Sequence, residues 1–296
     1  MSRRIHPIGG KVVLITGAAH GIGAAAARRL TARGARLALV DVDASALEGV
    51  ARECPGARAY VADVTDDAAL RAAVAGAAAD LGGIDVAVVN AGVAAMGLTR
   101  FAEPGGFERT VAVNLVGAWR TLHAALPHLV ARRGYALSIA SVAAVAHVPG
   151  LGAYSASKAG LEAFSDALRT EVAHLGVDVG VAYFSWIDTA MVRGDGPAGG
   201  RPRLGSLARP PLHRVYPAAD AARVIVEAIE RRQRSVFHPR WLRAVLPLRG
   251  LLPALLEPRL RPAIPRMDAA ALARAGHAQA DEAPSARLAG DPPAAQ

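Results

Sequence analysis

A β-branched run, Lys11-Val-Val-Leu-Ile-Thr16, ends directly on Gly17-Ala-Ala-His-Gly21-Ile-Gly23, and an Ala/Arg-rich helical pattern follows from Ala24 to Arg33. Strand, glycine turn and helix in that order form the context of a phosphate-binding loop at a helix N-terminus. The alternation of apolar strand and Ala-rich helix continues from Val12 to Val226. It predicts one α/β domain built on a doubly wound, mostly parallel sheet covered on both faces. At 296 residues the chain is long enough for one such core, and the pattern shows no second domain.

Within the turn, Gly17 and Gly21 leave room for a backbone to approach a pyrophosphate, and Gly23 lets the helix pack close to the strand. The spacing is G-x-x-x-G-x-G, and a purely structural turn is the plainer alternative. The next strand, Arg36-Leu-Ala-Leu-Val40, ends in Asp41, about 20 residues on, where a carboxylate can accept hydrogen bonds from both ribose hydroxyls of an adenosine. The same charge repels a 2′-phosphate, so Asp41 favours NAD over NADP. As a helix cap Asp41 is replaceable by Asp43 or Ser45. A protonated His20 would tolerate a phosphate, but the fixed charge of Asp41 weighs more.

Farther along, Tyr154-Ser-Ala-Ser-Lys158 places a phenol and an ammonium four residues apart on one helix face, with Ser141 upstream. The cation is expected to lower the phenol's pKa and make Tyr154 a proton donor near neutral pH. Alone, such a pair is most simply an exposed i,i+4 contact. Asn114 in an apolar helical run and Ser141 at a strand end have similar plain readings, as partners for backbone groups.

Taken together, these motifs resemble the classical short-chain dehydrogenase/reductase family, from about Lys11 to about Phe237. Asp63-Val64 resembles the pair that contacts adenine, and Asn90-Ala91-Gly92 the strand-end turn beside the cofactor. Ile22 falls between the last two glycines of the cofactor turn. Asn114 resembles the helix asparagine that holds a water, and Ser141, Tyr154 and Lys158 the catalytic set. Ile187-Asp-Thr189 resembles the loop that holds the nicotinamide amide. The resemblance implies a Rossmann-type fold, NAD as cofactor, and a homodimer or homotetramer built through the helices bearing Asn114 and Tyr154. One departure stands out: Phe184-Ser185 replaces the family's Pro-Gly, which alters backbone freedom before the nicotinamide loop.

The implied chemistry is hydride transfer coupled to proton transfer. Tyr154 would exchange the proton, Ser141 hold the substrate oxygen, Lys158 tune Tyr154 and hold the nicotinamide ribose, and Asn114 position a water linking Lys158 to solvent. Val142, Ala143, Ala144, Val145, Val148 and Leu151 flank the catalytic pair, with Val93, Met96 and Trp186 expected nearby, and no Arg or Lys falls between Ser141 and Tyr154. A lipophilic secondary alcohol or ketone is the expected substrate: a steroid, a terpenoid or a long-chain hydroxy compound. The alternatives are a 3-oxoacyl thioester reductase, against which Asp41 speaks, and a non-catalytic NAD-binding scaffold, which would have no need of Tyr154 or Lys158. No metal site is read. His147 reads as a solvated loop histidine, and Gly194 to Pro211 occupies the place of a substrate lid.

The net charge of +9 is uneven: residues 1–192 carry 17 Lys/Arg against 16 Asp/Glu, and 193–296 carry 17 against 9. Nine arginines face only Glu257 between Arg231 and Arg266. Without aromatic interleaving or a recognisable module, this does not read as a nucleic-acid site. The chain divides into a dinucleotide-binding and catalytic unit (1–238), a basic Leu/Arg/Pro-rich extension (239–267) and a disordered tail (268–296). The extension is expected either to cover the substrate cleft or a subunit interface, or to make peripheral contact with an anionic membrane through 231–266, with Trp241 inward. The single Cys54 excludes an intrachain disulfide, and the start of the chain lacks an apolar signal stretch, so a cytoplasmic location is expected, with possible contact at the inner face of a membrane.

Overall fold

The computed structural model describes residues 5–194 and 213–281. Its core is a seven-stranded, wholly parallel sheet in the order β3-β2-β1-β4-β5-β6-β7. The strands are β1 (Val12–Thr16), β2 (Arg36–Asp41), β3 (Arg58–Val61), β4 (Val86–Val89), β5 (Tyr135–Ser141), β6 (Asp178–Phe184) and β7 (Ser235–His238). β1, β4 and β5 are buried along their whole length, as expected of strands covered on both faces, whereas edge strand β3 is largely exposed.

The helices are α1 (Gly21–Thr31), α2 (Ala44–Glu53), α3 (Asp67–Leu81), α4 (Pro104–Val111), α5 (Ala118–Arg132), α6 (Gly152–Val172), α7 (Ala190–Arg193), α8 (Ala218–Arg231), α9 (Leu242–Val245), α10 (Leu252–Leu260) and α11 (Ile264–Asp281). Small alanine side chains let α1 sit close to both sheet and α8: Ala26, Ala27 and Leu30 share one core layer with Ala221, Ala222 and Ile225. The opposite layer joins α3, α5 and α6 through Leu70, Leu122 and Leu161. Local signals agree with this packing. Asp66 caps α3 by accepting from the Ala69 amide at 3.0 Å, and Gly82 ends it in the left-handed region.

The chain winds outward from β1 in one direction through β2 and β3, then returns to start again at β4. That reversal opens a crevice at the carboxyl ends of β1 and β4, where Asp41, Asn90, Ser141 and Phe184 also end their strands or follow them.

The tail differs from expectation. α11 runs to Asp281, so residues 268–281 are helical and not a disordered tail. Alanine at 269, 270, 271 and 273 gives the segment high helix propensity without an apolar stripe, and an Arg100–Asp268 ion pair of 2.9 Å fastens its start. The rest of the expected tail, 282–296, and nearly all of the expected lid, 195–211, lie outside the described residues.

Candidate active site

The turn after β1 depends on close contacts that only glycine permits. Gly21 has φ of 51°, and a Cβ there would stand 2.9 Å from Thr189 Cγ2. A Cβ on Gly23 would stand 2.0 Å from the Gly17 carbonyl, so α1 packs directly on the turn, as read from the sequence. Asn90 clamps the turn from β4: its amide nitrogen donates to the Thr16 and Gly17 carbonyls at 3.0 and 2.9 Å. No side chain caps α1 at His20, which leaves its first-turn amides available to a ligand.

At the end of β2, Asp41 accepts from the Ala19 amide at 2.9 Å with one oxygen and from the Asp43 amide at 3.1 Å with the other. Each oxygen keeps acceptor capacity. Asp43, not Asp41, caps α2 through the Ala46 amide, and also bonds His20 at 2.9 Å. That amide, followed by His20 and Ser45, holds the Asp43 carboxyl at about 2. Asp63 accepts from the Thr65 amide and hydroxyl, both at 2.8 Å, and the amide holds its pKa down.

These groups border a cleft of about 650 Å³. Of the expected cofactor residues, Gly17, His20, Gly21, Ile22, Asp41, Asp63 and Val64 line one part of it; Asn90, Ala91, Gly92, Tyr154, Lys158, Ile187 and Thr189 line the remainder. Gly23 does not, because it is buried behind the turn. Arg109, which the sequence reading missed, also lines the cleft and acts electrostatically on Asp63.

β5 delivers Ser141, whose Oγ accepts from the Ala143 amide at 3.1 Å and donates to the Phe184 carbonyl at 3.4 Å. α6 delivers Tyr154 and Lys158. The Lys158 ammonium lies 5.8 Å from the Tyr154 ring centroid and donates to the Ile139 carbonyl at 2.8 Å. Burial raises the Tyr154 phenol, opposed by the Ser141 hydroxyl. The cation stands over the ring face, and burial lowers its own pKa to about 8.

Asn114 sits in a π-helical stretch, Ala112–Gly117, fully buried and outside the cleft wall. Its amide donates to the Val93 carbonyl at 2.9 Å and the Ser157 hydroxyl at 3.0 Å, while Oδ1 accepts from the Val93 amide at 2.8 Å. The plainer reading of Asn114, as a backbone partner, therefore describes most of its capacity. A Cβ on Gly92 would nevertheless meet both Asn114 Oδ1 (3.2 Å) and Lys158 Nζ (3.5 Å), so the two face one small space.

Beside the cleft lies an apolar cavity of about 140 Å³. Ser141, Val142, Val148, Leu151, Tyr154 and Trp186 line it as expected, together with Met96. Ala144 and Val145 do not: they are buried against Val181 and Tyr183 in a separate core cluster. Val93 lines the cofactor cleft instead. His147 bonds the Ala144 carbonyl at 3.3 Å. At the Phe184-Ser185 departure, the Ser185 amide donates to the His238 carbonyl at 3.1 Å, prolonging the β6–β7 pairing, and Ile187 still forms a bridge with Tyr216.

Met191, Val192, Trp241 and Leu256 also line the cavity and were not individually identified from sequence as its walls. The last two come from the C-terminal extension, which thus covers the cavity. Arg249 fixes the extension through a two-pronged pair with Glu162, at 2.8 and 3.2 Å. Glu162 is buried on α6 and also accepts from the Tyr183 phenol at 2.9 Å.

The family model for short chain dehydrogenases matches residues 11–198. The chain belongs to that family. Momilactone A synthase of Oryza sativa subsp. japonica is 38% identical over 189 residues, covering 62% of this chain and 69% of that protein. An uncharacterized NAD-dependent oxidoreductase of Mycobacterium tuberculosis is 32% identical over 211 residues, 65% of this chain and 77% of that protein. Other curated relatives are longer: the chain spans 14% of the glycine betaine reductase of Emericella nidulans and 57% of another M. tuberculosis oxidoreductase. A short-chain dehydrogenase/reductase from Burkholderia phymatum, solved in complex with NAD, shares the fold with a TM-score of 0.73 over 85% of this chain and 97% of that one, at 23% identity.

Proposed function

We propose that this chain is an NAD-dependent oxidoreductase interconverting a lipophilic secondary alcohol, of steroid, terpenoid or long-chain hydroxy type, and its ketone. The observation that carries this reading is a junction: Ser141 and Tyr154 line both the 650 Å³ cleft and the apolar cavity. A proton-transfer pair there can touch a substrate in one space and a cofactor in the other.

The cleft fits a dinucleotide. Its volume lies within the ligand-pocket range of about 300–1,000 Å³, the first-turn amides of α1 suit a pyrophosphate, and Asp41 retains acceptor capacity for ribose hydroxyls. Support for NAD over NADP is electrostatic: Asp41 and Asp43 stand together, His20 is paired to Asp43, and Arg109 acts on Asp63. Bound NAD supplies the acceptor or donor for a hydride.

In oxidation the Tyr154 phenolate takes the hydroxyl proton of the alcohol and becomes the phenol; in reduction the phenol gives its proton to the carbonyl oxygen and becomes the phenolate. Ser141 holds that oxygen by donating a hydrogen bond, and its present bond to Phe184 is long enough to exchange readily. Lys158 holds the nicotinamide ribose, and the second lone pair of Asn114 Oδ1 holds a water that connects the ammonium to solvent. Ile187 and Thr189 position the nicotinamide amide. The raised phenol suits the neutral, donating form of Tyr154, whereas alcohol oxidation gains from rising pH.

The cavity favours apolar substrates because, among the described residues, no charged side chain lines it. A homodimer or homotetramer through α5 and α6 is supported by exposed Val116 and Trp119 beside them, and a reducing cytoplasm suits the single buried Cys54. The test is a turnover screen with NAD and NADP side by side, across apolar secondary alcohols, their ketones and small polar alcohols. NAD-linked rates that increase with apolar size are expected; NADP preference, or fastest turnover of small polar alcohols, refutes the proposal.

A further inference from the structure

The extension after β7 has two unlike faces. Inward, Trp241 and Leu256 wall the apolar cavity, Leu242 and Leu260 are buried, and Arg249 is fastened to Glu162. Outward, Leu248, Leu251 and Leu255 are 48%, 59% and 47% exposed. Nowhere else among the described residues do three exposed large apolar side chains fall within eight positions. Exposed Arg243, Arg259, Arg261 and Arg266 accompany them, with no carboxylate partner among the described residues.

We infer that this face docks on an anionic lipid surface, with the three leucines at the acyl boundary and the arginines at the phosphates. Charge complementarity selects the occupant. A second copy in a two-fold contact would set these uncompensated arginines against their equivalents, which repels. A lipid surface offers phosphate and hydrocarbon at the depths that arginine and leucine reach. No helix among the described residues is long and apolar enough to cross a membrane, so the contact is peripheral. The docked segment also forms the cavity wall, so a lipophilic substrate enters from the lipid side; that clause alone rests on the proposed function.

The test is vesicle flotation of the full chain on phosphatidylcholine vesicles, with and without phosphatidylglycerol. Flotation is expected with the anionic vesicles only, and it weakens as salt is added. Arg261→Ala and Arg266→Ala each reduce partitioning about fivefold, and the Leu251→Glu/Leu255→Glu pair abolishes it. These side chains are exposed, and unchanged circular dichroism verifies that the variants fold. Equal recovery on neutral vesicles, no flotation on either, or a leucine variant that floats like the parent overturns the inference. So does a leucine variant that lowers the oligomeric state in vesicle-free sedimentation while the parent does not float, since the face is then a subunit contact. Flotation does not depend on turnover, so its failure leaves the proposed reaction to its own test.

Discussion

Replacing Lys158 by Met should make the chain more stable at neutral pH and remove a specific pH dependence. Lys158 is 4% exposed and its ammonium makes one hydrogen bond, to the Ile139 carbonyl. Burial lowers its pKa from 10.5 to about 8. At about 1.4 kcal/mol per unit, that difference amounts to about 3 kcal/mol of destabilisation when the folded chain must carry the charge. Below about pH 8 both folded and unfolded chains bind the proton, and the cost is present in full. Between about 8 and 10.5 the unfolded chain keeps the proton that the folded chain has released, so stability rises with pH. The parent should therefore trail Lys158→Met by up to about 3 kcal/mol near pH 7, less about 1 kcal/mol for the lost hydrogen bond, and recover steadily toward pH 10.5. Urea unfolding of both proteins across this range measures the gap, and titrations common to both cancel. A gap independent of pH, or one that widens as pH rises, refutes the reasoning.

Asp41→Ser removes a charge that accepts hydrogen bonds worth about 1.5–3 kcal/mol, so the ratio of NAD-linked to NADP-linked kcat/KM should fall about tenfold to hundredfold; steady-state kinetics with both cofactors reads it. Arg249→Met strands the buried Glu162 carboxylate and should cost about 3 kcal/mol, the low end for a buried pair because Arg249 is half exposed. Most of that loss should return in the Arg249→Met/Glu162→Gln double variant, as measured by urea unfolding. Gly23→Ala drives a methyl into the Gly17 carbonyl and should lower stability by about 1–3 kcal/mol, with weakened NAD binding by calorimetry.

The sheet and the cofactor cleft were legible because both depend on local pattern. A β-branched run marks β1 and an apolar run marks β2, and the glycines and Asp41 must stand where a strand meets its turn. The placement of Ser141, Tyr154 and Lys158 around one cleft was legible by spacing, but their electrostatics were not. Spacing places Lys158 one turn from Tyr154 without showing that the ammonium meets the ring face, or that burial acts on both groups. That the extension covers the cleft was among the sequence expectations, but which of its residues do so, Trp241 and Leu256, was not legible, because they arrive from far along the chain and are held there by the Arg249–Glu162 pair. Glu162 offered an overlooked signal: it lies four residues after Lys158, on the same inward face of α6, where a carboxylate requires a partner. α11 was missed because alanine propensity, without an apolar stripe, makes a helix that periodicity does not reveal.

The most direct measurement is the NAD-linked turnover of an apolar secondary alcohol by the parent and by Tyr154→Phe, followed as NADH fluorescence with cofactor affinity measured alongside. Removing one hydroxyl from the junction should reduce kcat about 10²–10⁴-fold while NAD binding is retained. Undiminished turnover in the variant would contradict the account.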